Sequence, residues 1–186
     1  MVEVRKGTRG KEIIIEENPL SRWLFSNTNS AWIWLILRLY IGYTWLTAGF
    51  GKVTSDAWTG ENAGTALGGY MSGVMETAAD GVVAGWYATF LESVVIPNAV
   101  VFSYMVAWGE LLIGFGLIVG LLTGIAAFFG ALMNMSFLLA GTVSSNPVML
   151  VIAMLLVLGW KVAGWYGMDR WALPKLGTPW QVKRKG

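Results

Sequence analysis

The chain of 186 residues has no cysteine and no histidine. Disulfides, thiolate catalysis, haem ligation by His or Cys, Cys-bound iron–sulfur clusters and the usual zinc and copper sites therefore cannot be built from it. Charge is scarce as well. Only 13% of residues are Asp, Glu, Lys or Arg, where a soluble domain carries about a quarter. Apolar residues take their place, at 55% of the chain with a mean hydropathy of +0.58. The 24 glycines and 11 tryptophans suit membrane helices and membrane interfaces respectively. This balance predicts an all-α integral membrane protein, a four-helix bundle in one domain. With no metal, haem or iron–sulfur cluster expected from the chain, redox chemistry here needs an organic carrier or a partner. A lipid-soluble quinone is the carrier that suits a buried pocket.

Hydrophobic runs place four spans, at about 30–51, 98–119, 121–140 and 147–167. Each is near the 20 residues that cross a bilayer core at 1.5 Å per residue. Residues 1–29 mix basic and acidic side chains and read as a solvated cytoplasmic segment, with a short strand or helix around Ile13–Ile15. The first apolar run comes too late and is too long for a signal peptide. The connection over 53–97 holds Asp56, Glu61, Glu76, Asp80 and Glu92 but no Lys or Arg. Its apolar stripes at Ala63–Ala78 and Val83–Val94 have helical spacing, interrupted at Asp80-Gly81. They predict short amphipathic helices in an extracytoplasmic loop, lying on the membrane or capping the bundle.

A basic tail follows at 169–186, so both termini are basic and the long loop acidic. The Lys/Arg bias puts both termini in the cytoplasm of a multi-pass protein. Trp32, Trp34, Trp160, Trp165 and Trp171 then form an inner aromatic belt, and Trp58, Trp86 and Tyr87 an outer one. Gly116, Gly120 and Gly124 suggest close packing of the second and third spans where they meet.

The polar residues inside the spans are the candidate site. On the first span, Arg38, Gly42, Trp45, Gly49 and Lys52 share one helical face. An intramembrane arginine is costly and faces protein or a wet cavity, while Gly42 and Gly49 let another backbone approach. Measured from the span ends, Arg38 lies about 12 Å and Glu110 about 13 Å from the cytoplasmic edge. Equal depth and opposite charge predict an Arg38–Glu110 pair, since each alone carries a desolvation penalty. Lys161, about 9 Å from that edge, joins them or snorkels to the headgroups. Asn134 sits higher, at about 20 Å, below Lys52. Trp45 packs in the core or stacks on a quinone ring.

Three segments resemble the DoxX/DoxD family of small four-span bacterial and archaeal membrane proteins. They are RLYIGYTWLTAGFGK at Arg38–Lys52, ELLIGFGLIVGLLTG at Glu110–Gly124 and AGWYGMDRW at Ala163–Trp171. The resemblance implies a prokaryotic cytoplasmic membrane and marks Arg38, Lys52, Glu110 and Asp169 as motif positions. It also implies an activity, thiosulfate:quinone oxidoreductase, in which two thiosulfates become tetrathionate and two electrons pass to quinone. That enzyme has two subunits, so a second redox subunit or larger respiratory complex is an expected partner, along with membrane lipid.

The leading expectation is thus a quinone-linked membrane oxidoreductase or a subunit of one. Arg38 would hold an anionic substrate or the developing quinol oxyanion, and Glu110 would move protons. Lys52, Trp45, Asn134 and Lys161 would bind substrate or quinone, and Gly42, Gly49 and Asp169 are structural. A non-catalytic accessory subunit stabilising a redox complex is the rival, and a small transporter or lipid-binding protein the third reading. A homo-oligomer is compatible with all three; nucleic acid is not an expected partner.

Overall fold

The computed structural model describes residues 3–7, 10–14 and 17–176, the first two ranges as backbone only. Strands β1 (Glu3–Gly7) and β2 (Gly10–Ile14) form an antiparallel hairpin. Ile13 and Ile14 are thus in a strand, while Ile15 and the basic residues Lys183, Arg184 and Lys185 lie outside the described residues. The rest of the described chain is helical. Its elements are α1 (Pro19–Ser26), α2 (Ala31–Val53), α3 (Asp56–Thr59), α4 (Thr65–Ala79) and α5 (Gly85–Phe90). They continue with α6 (Ala99–Val119), α7 (Thr123–Leu139), α8 (Asn146–Leu158), α9 (Trp160–Ala163) and α10 (Asp169–Lys175).

Two helical stretches are long and apolar enough to cross a membrane, Thr28–Val53 and Gly85–Val119, and α7 and α8 are shorter apolar helices. The second stretch starts well before the expected span at 98. Helix α5 runs into α6 through a π-helical turn at Leu91–Val95 and a 3-10 turn at Ile96–Asn98. Pro97 explains both turns. It has no N–H to donate and its ring clashes with the carbonyl four residues back, so the chain widens and then tightens instead of breaking.

Helices α2 and α6 are antiparallel and in backbone contact. A Cβ on Gly42 would meet Leu117 and Ile118, one on Gly114 would meet Leu46, and one on Gly49 would overlap Leu111. Around this pair the core holds Trp34, Ile41, Trp45, Leu117, Ala127, Ala153 and Leu156. Outward, α2, α6, α7 and α8 expose Ile36, Tyr43, Leu112, Phe128, Val151 and Leu158, each more than half accessible. Such continuous apolar surface is unfavourable in water and ordinary against lipid.

A second apolar cluster, with Leu67, Met71, Val74, Val83, Tyr87, Leu91 and Val95, joins α4 and α5 to the bundle. These are the two stripes that predicted amphipathic helices, and they cap one end. The α4–α5 turn, with Gly81 at φ +77°, lies against the α7–α8 turn at Gly141, φ +79°. Tyr70 and Thr142 share a hydroxyl hydrogen bond of 2.6 Å, and the Tyr87 hydroxyl donates to the Ser136 carbonyl at 3.0 Å. Both expected aromatic belts lose a member to the interior. Trp34 is 1% exposed, donates to the Leu24 carbonyl and packs on Gly159, and Tyr87 belongs to the cap's core.

Candidate functional site

Lys52 ends α2 and Glu110 sits mid-way along α6, and the two form an ion pair at 2.5 Å. The glycine contacts set this register. Gly49 faces Leu111 and Gly114 faces Leu46, so the last turn of α2 is level with Glu110. Glu110 is 2% exposed and the Lys52 side chain 22%. The Lys52 ammonium also stands over the Trp58 ring, 5.2 Å from its centroid, an attractive arrangement for a cation and a π face. Glu110 thus has a cation on it, and that cation is held from its other side by an indole.

The pair lies in the wall of a cavity of about 620 Å³. Trp45, Phe102, Phe137 and Met149 line its bundle side, and Tyr70, Met71 and Tyr87 from the cap close over it. Lys52 and Glu110 are the charged residues among its lining. Burial raises the Tyr70 phenol above its ordinary pKa, partly offset by the bond to Thr142, so it remains a neutral hydroxyl. Thr44, Ser136, Thr142, Ser144, Ser145 and Asn146 add neutral polar groups to the lining, and a largely apolar, aromatic cavity of this size with a few polar groups is the usual form of a small-molecule site.

Arg38 is elsewhere, and the expected Arg38–Glu110 pair does not form. Arg38 and Lys52 are 14 positions apart on one straight helix, about 21 Å, and Glu110 is bonded to Lys52. Arg38 is 1% exposed and donates from Nη2 to the Tyr166 carbonyl at 3.0 Å, while Nε and Nη1 have no hydrogen-bond partner among the described residues. Its guanidinium fills the space above Gly120 and Gly167, where a Cβ on either glycine would collide with it. Asp169 lies on the same turn, its amide bonded to the Gly120 carbonyl. The depth estimate failed because it took the inner ends of the first and second spans as level. With Gly42 opposite Ile118, the first ten residues of α2 run past the end of α6, where α1 and α9 cover them.

Asp169 is 3% exposed and clasps the α6–α7 turn. Its carboxylate accepts from the Leu122 amide at 2.6 Å and the Thr123 amide at 2.9 Å, and its own amide donates to the Gly120 carbonyl at 2.8 Å. Two of the free N–H groups that start α7 are thereby satisfied from a distant segment. Asp169 therefore belongs to the end of the bundle and not to a solvated tail. Of the three glycines expected to pack the second span on the third, Gly116 meets Ala126, whereas Gly120 makes room for Arg38 and Gly124 for Trp160.

Of the other expected site residues, Trp45 lines the cavity. Asn134 is fully buried and does not; among the described residues neither of its side-chain polar atoms has a hydrogen-bond partner, and the same holds for Trp45 Nε1. Lys161 is exposed on α9 and does not line the cavity. The structure therefore joins Lys52, Glu110 and Trp45, and leaves Arg38, Asn134 and Lys161 outside that cavity. Trp58, Tyr70 and Tyr87 enter the site unforeseen. Tyr70 and Tyr87 lie on the loop stripes and Trp58 just before them, but these signals were read as cap and membrane belt alone.

A DoxX family model matches residues 33–143, which span α2 through the start of the α7–α8 turn and include both halves of the ion pair. The chain belongs to the DoxX family. DoxX proteins are generally membrane-associated, in keeping with the apolar outer faces of α2, α6, α7 and α8. Comparison with curated proteins and with solved structures returns no match.

Proposed function

We propose that this DoxX protein is the quinone-binding component of a membrane oxidoreductase. In this reading it is held in a prokaryotic cytoplasmic membrane by four spans, with both termini on the cytoplasmic side. The observation that carries the proposal is the Lys52–Glu110 pair, at 2.5 Å, the charged residues in the wall of a largely apolar cavity of about 620 Å³. A quinone, when bound, supplies a planar ring that takes up two electrons and two protons. The lining suits such a ring. Trp45 and Trp58 offer aromatic faces, and Lys52 and Glu110 offer a donor and an acceptor to a carbonyl edge. Lys52 Nζ donates a hydrogen bond to Glu110 Oε2, so the pair can pass a proton to a bound oxygen or take one from it.

Lys52 is the one cation among the lining residues and is committed to Glu110. An anionic electron donor therefore finds no spare positive group there, and the loop above it is acidic. We assign electron donation to a partner subunit, with a reduced sulfur compound such as thiosulfate as that subunit's substrate. The test is calorimetric titration of the protein in lipid nanodiscs with a decyl-substituted benzoquinone. Saturable binding that weakens at least tenfold in Lys52→Met is the expected result, and the absence of saturable binding to the wild type overturns the reading.

A second reading rests on the cap. Val82 and Trp86 are 64% and 67% exposed there, an apolar surface fit to dock a larger redox complex. Co-purification of such a complex by a chain that binds no quinone favours an accessory subunit instead.

A further inference from the structure

A second concavity of about 640 Å³ runs between α6 and α7, and every residue lining it is apolar. Its rim, including Leu112, Phe115, Ile125 and Phe129, is at least half exposed and belongs to the lipid-facing side of the bundle. Phe102, Met105, Val106, Leu132 and Met133 line both this groove and the Lys52–Glu110 cavity. The two spaces are therefore adjoining rooms with a common partition. On the cap side, Tyr70 and Tyr87 are tied across the cavity to Thr142 and Ser136.

We infer that the α6–α7 groove is the lateral doorway from the bilayer into the ion-pair cavity, and that it holds the apolar tail of the ligand whose head meets Lys52 and Glu110. This deepens the quinone reading and rests on it for the head group. The partition has the chemistry of a door. Met105 and Met133 are unbranched and reorient at little cost. Gly109 adds no side chain beside that partition; a Cβ there would stand 3.5 Å from Met133 Sδ, in ordinary contact, so any longer side chain presses into the space Met133 occupies. Consecutive helical residues point about 100° apart. Glu110 can thus face the cavity while Gly109 faces the groove, which puts head and tail of one amphiphile on neighbouring positions of α6. A wholly apolar groove leading to a single charged pair fits a molecule with one polar end and a long hydrocarbon chain, and gives a protein helix no polar group to register on.

The test compares a decyl-substituted with a chainless benzoquinone, titrated into nanodiscs holding wild type, Gly109→Leu or Leu112→Trp. Leu112 is 64% exposed and lines the groove but not the ion-pair cavity, so the second variant narrows the doorway from outside without touching the head site. Both variants are expected to lose at least tenfold in affinity for the decyl compound and less than twofold for the chainless one. Equal losses for both compounds, or none for either, overturn the doorway while leaving the quinone head site standing. If wild type binds neither quinone, the quinone reading fails and the groove is judged by a diazirine-bearing fatty alcohol. Crosslinks at residues 105–112 and 129–133 that Gly109→Leu removes support the doorway. Labelling spread evenly over the outer faces of α2, α6, α7 and α8 overturns it.

Discussion

Lys52 and Glu110 meet because Gly49 and Gly114 let α2 and α6 touch backbone to backbone. The pair follows from the register. Any change that slides one helix along the other by a turn, about 5.4 Å, separates the two charges. The same register takes Arg38 beyond the end of α6 and leaves it to the α6–α7 turn. One helix–helix contact therefore decides which of the two basic residues on α2 serves the cavity and which serves the fold.

Removing one partner of the pair costs more than removing both. Lys52→Met leaves the Glu110 carboxylate buried without its cation. The expected loss is about 2–3 kcal/mol, below the 3–5 kcal/mol of a sealed pair because Lys52 is partly exposed. Lys52→Met combined with Glu110→Gln should regain most of it. Thermal unfolding of the two single variants and the double variant in detergent measures the coupling. Additive losses would show that the two side chains do not interact.

Glycine positions on α2 sort by what lies opposite them. A methyl group at Gly49 would overlap Leu111, while one at Gly51 meets nothing within 4 Å. Gly49→Ala should cost about 1–3 kcal/mol or more by forcing the helices apart. It should also weaken quinone binding by pulling Lys52 from Glu110. Gly51→Ala should be neutral or stabilise by about 0.5–1 kcal/mol through helix propensity. Parallel melting curves of the two variants decide it; equal effects would remove the glycine register from the account.

Much of this was legible before any coordinates. The apolar runs place α2, α6, α7 and α8, although α8 stops at Leu158 and not near 167, where the fourth run ends. The stripe from Arg38 to Lys52 named the buried face of α2, since helical periodicity is a local property. The pairing of Arg38 with Glu110 was misread because relative height between helices is not local. It depends on which glycine meets which backbone, and the sequence contains more glycines than contacts. Asp169 shows the same limit. The family resemblance marks it as structural, and only the approach of the α6–α7 turn shows what it holds. Pro97 marked a boundary that the chain then bridges with a π turn, because tertiary packing of Leu91 and Val95 keeps the helix going.

Asp169 holds a backbone conformation that Leu122 does not favour. Leu122 has φ +50°, left-handed and strained for a side chain with a Cβ. Asp169→Ala should cost about 2–3 kcal/mol, as two buried amides lose a charged acceptor. Asp169→Asn should cost less, because one carbonyl oxygen remains. Amide exchange at Leu122 and Thr123 should quicken first. Adding Leu122→Gly to Asp169→Ala should recover about 1 kcal/mol by removing the strain; no recovery would mean the turn is held by something other than the carboxylate.

Arg38 is expected to act on the fold's terminal end and not on the ligand. Its guanidinium reaches the Tyr166 carbonyl, so it pins the segment leading into α10, where Arg170 stacks on Trp165 with 5.0 Å to the ring centroid. Lysine at this position keeps the charge but lacks the planar fork that fits between Gly120 and Gly167. Arg38→Lys should loosen that segment, and a local loss of about 1.4 kcal/mol raises the population of the open form tenfold. Tryptic cleavage after Arg170 should rise in proportion, while decyl-benzoquinone affinity stays within twofold because the cavity pair is about 21 Å away. A large fall in affinity with cleavage unchanged would put Arg38 back among the ligand's contacts and break the division of labour between the two basic residues of α2.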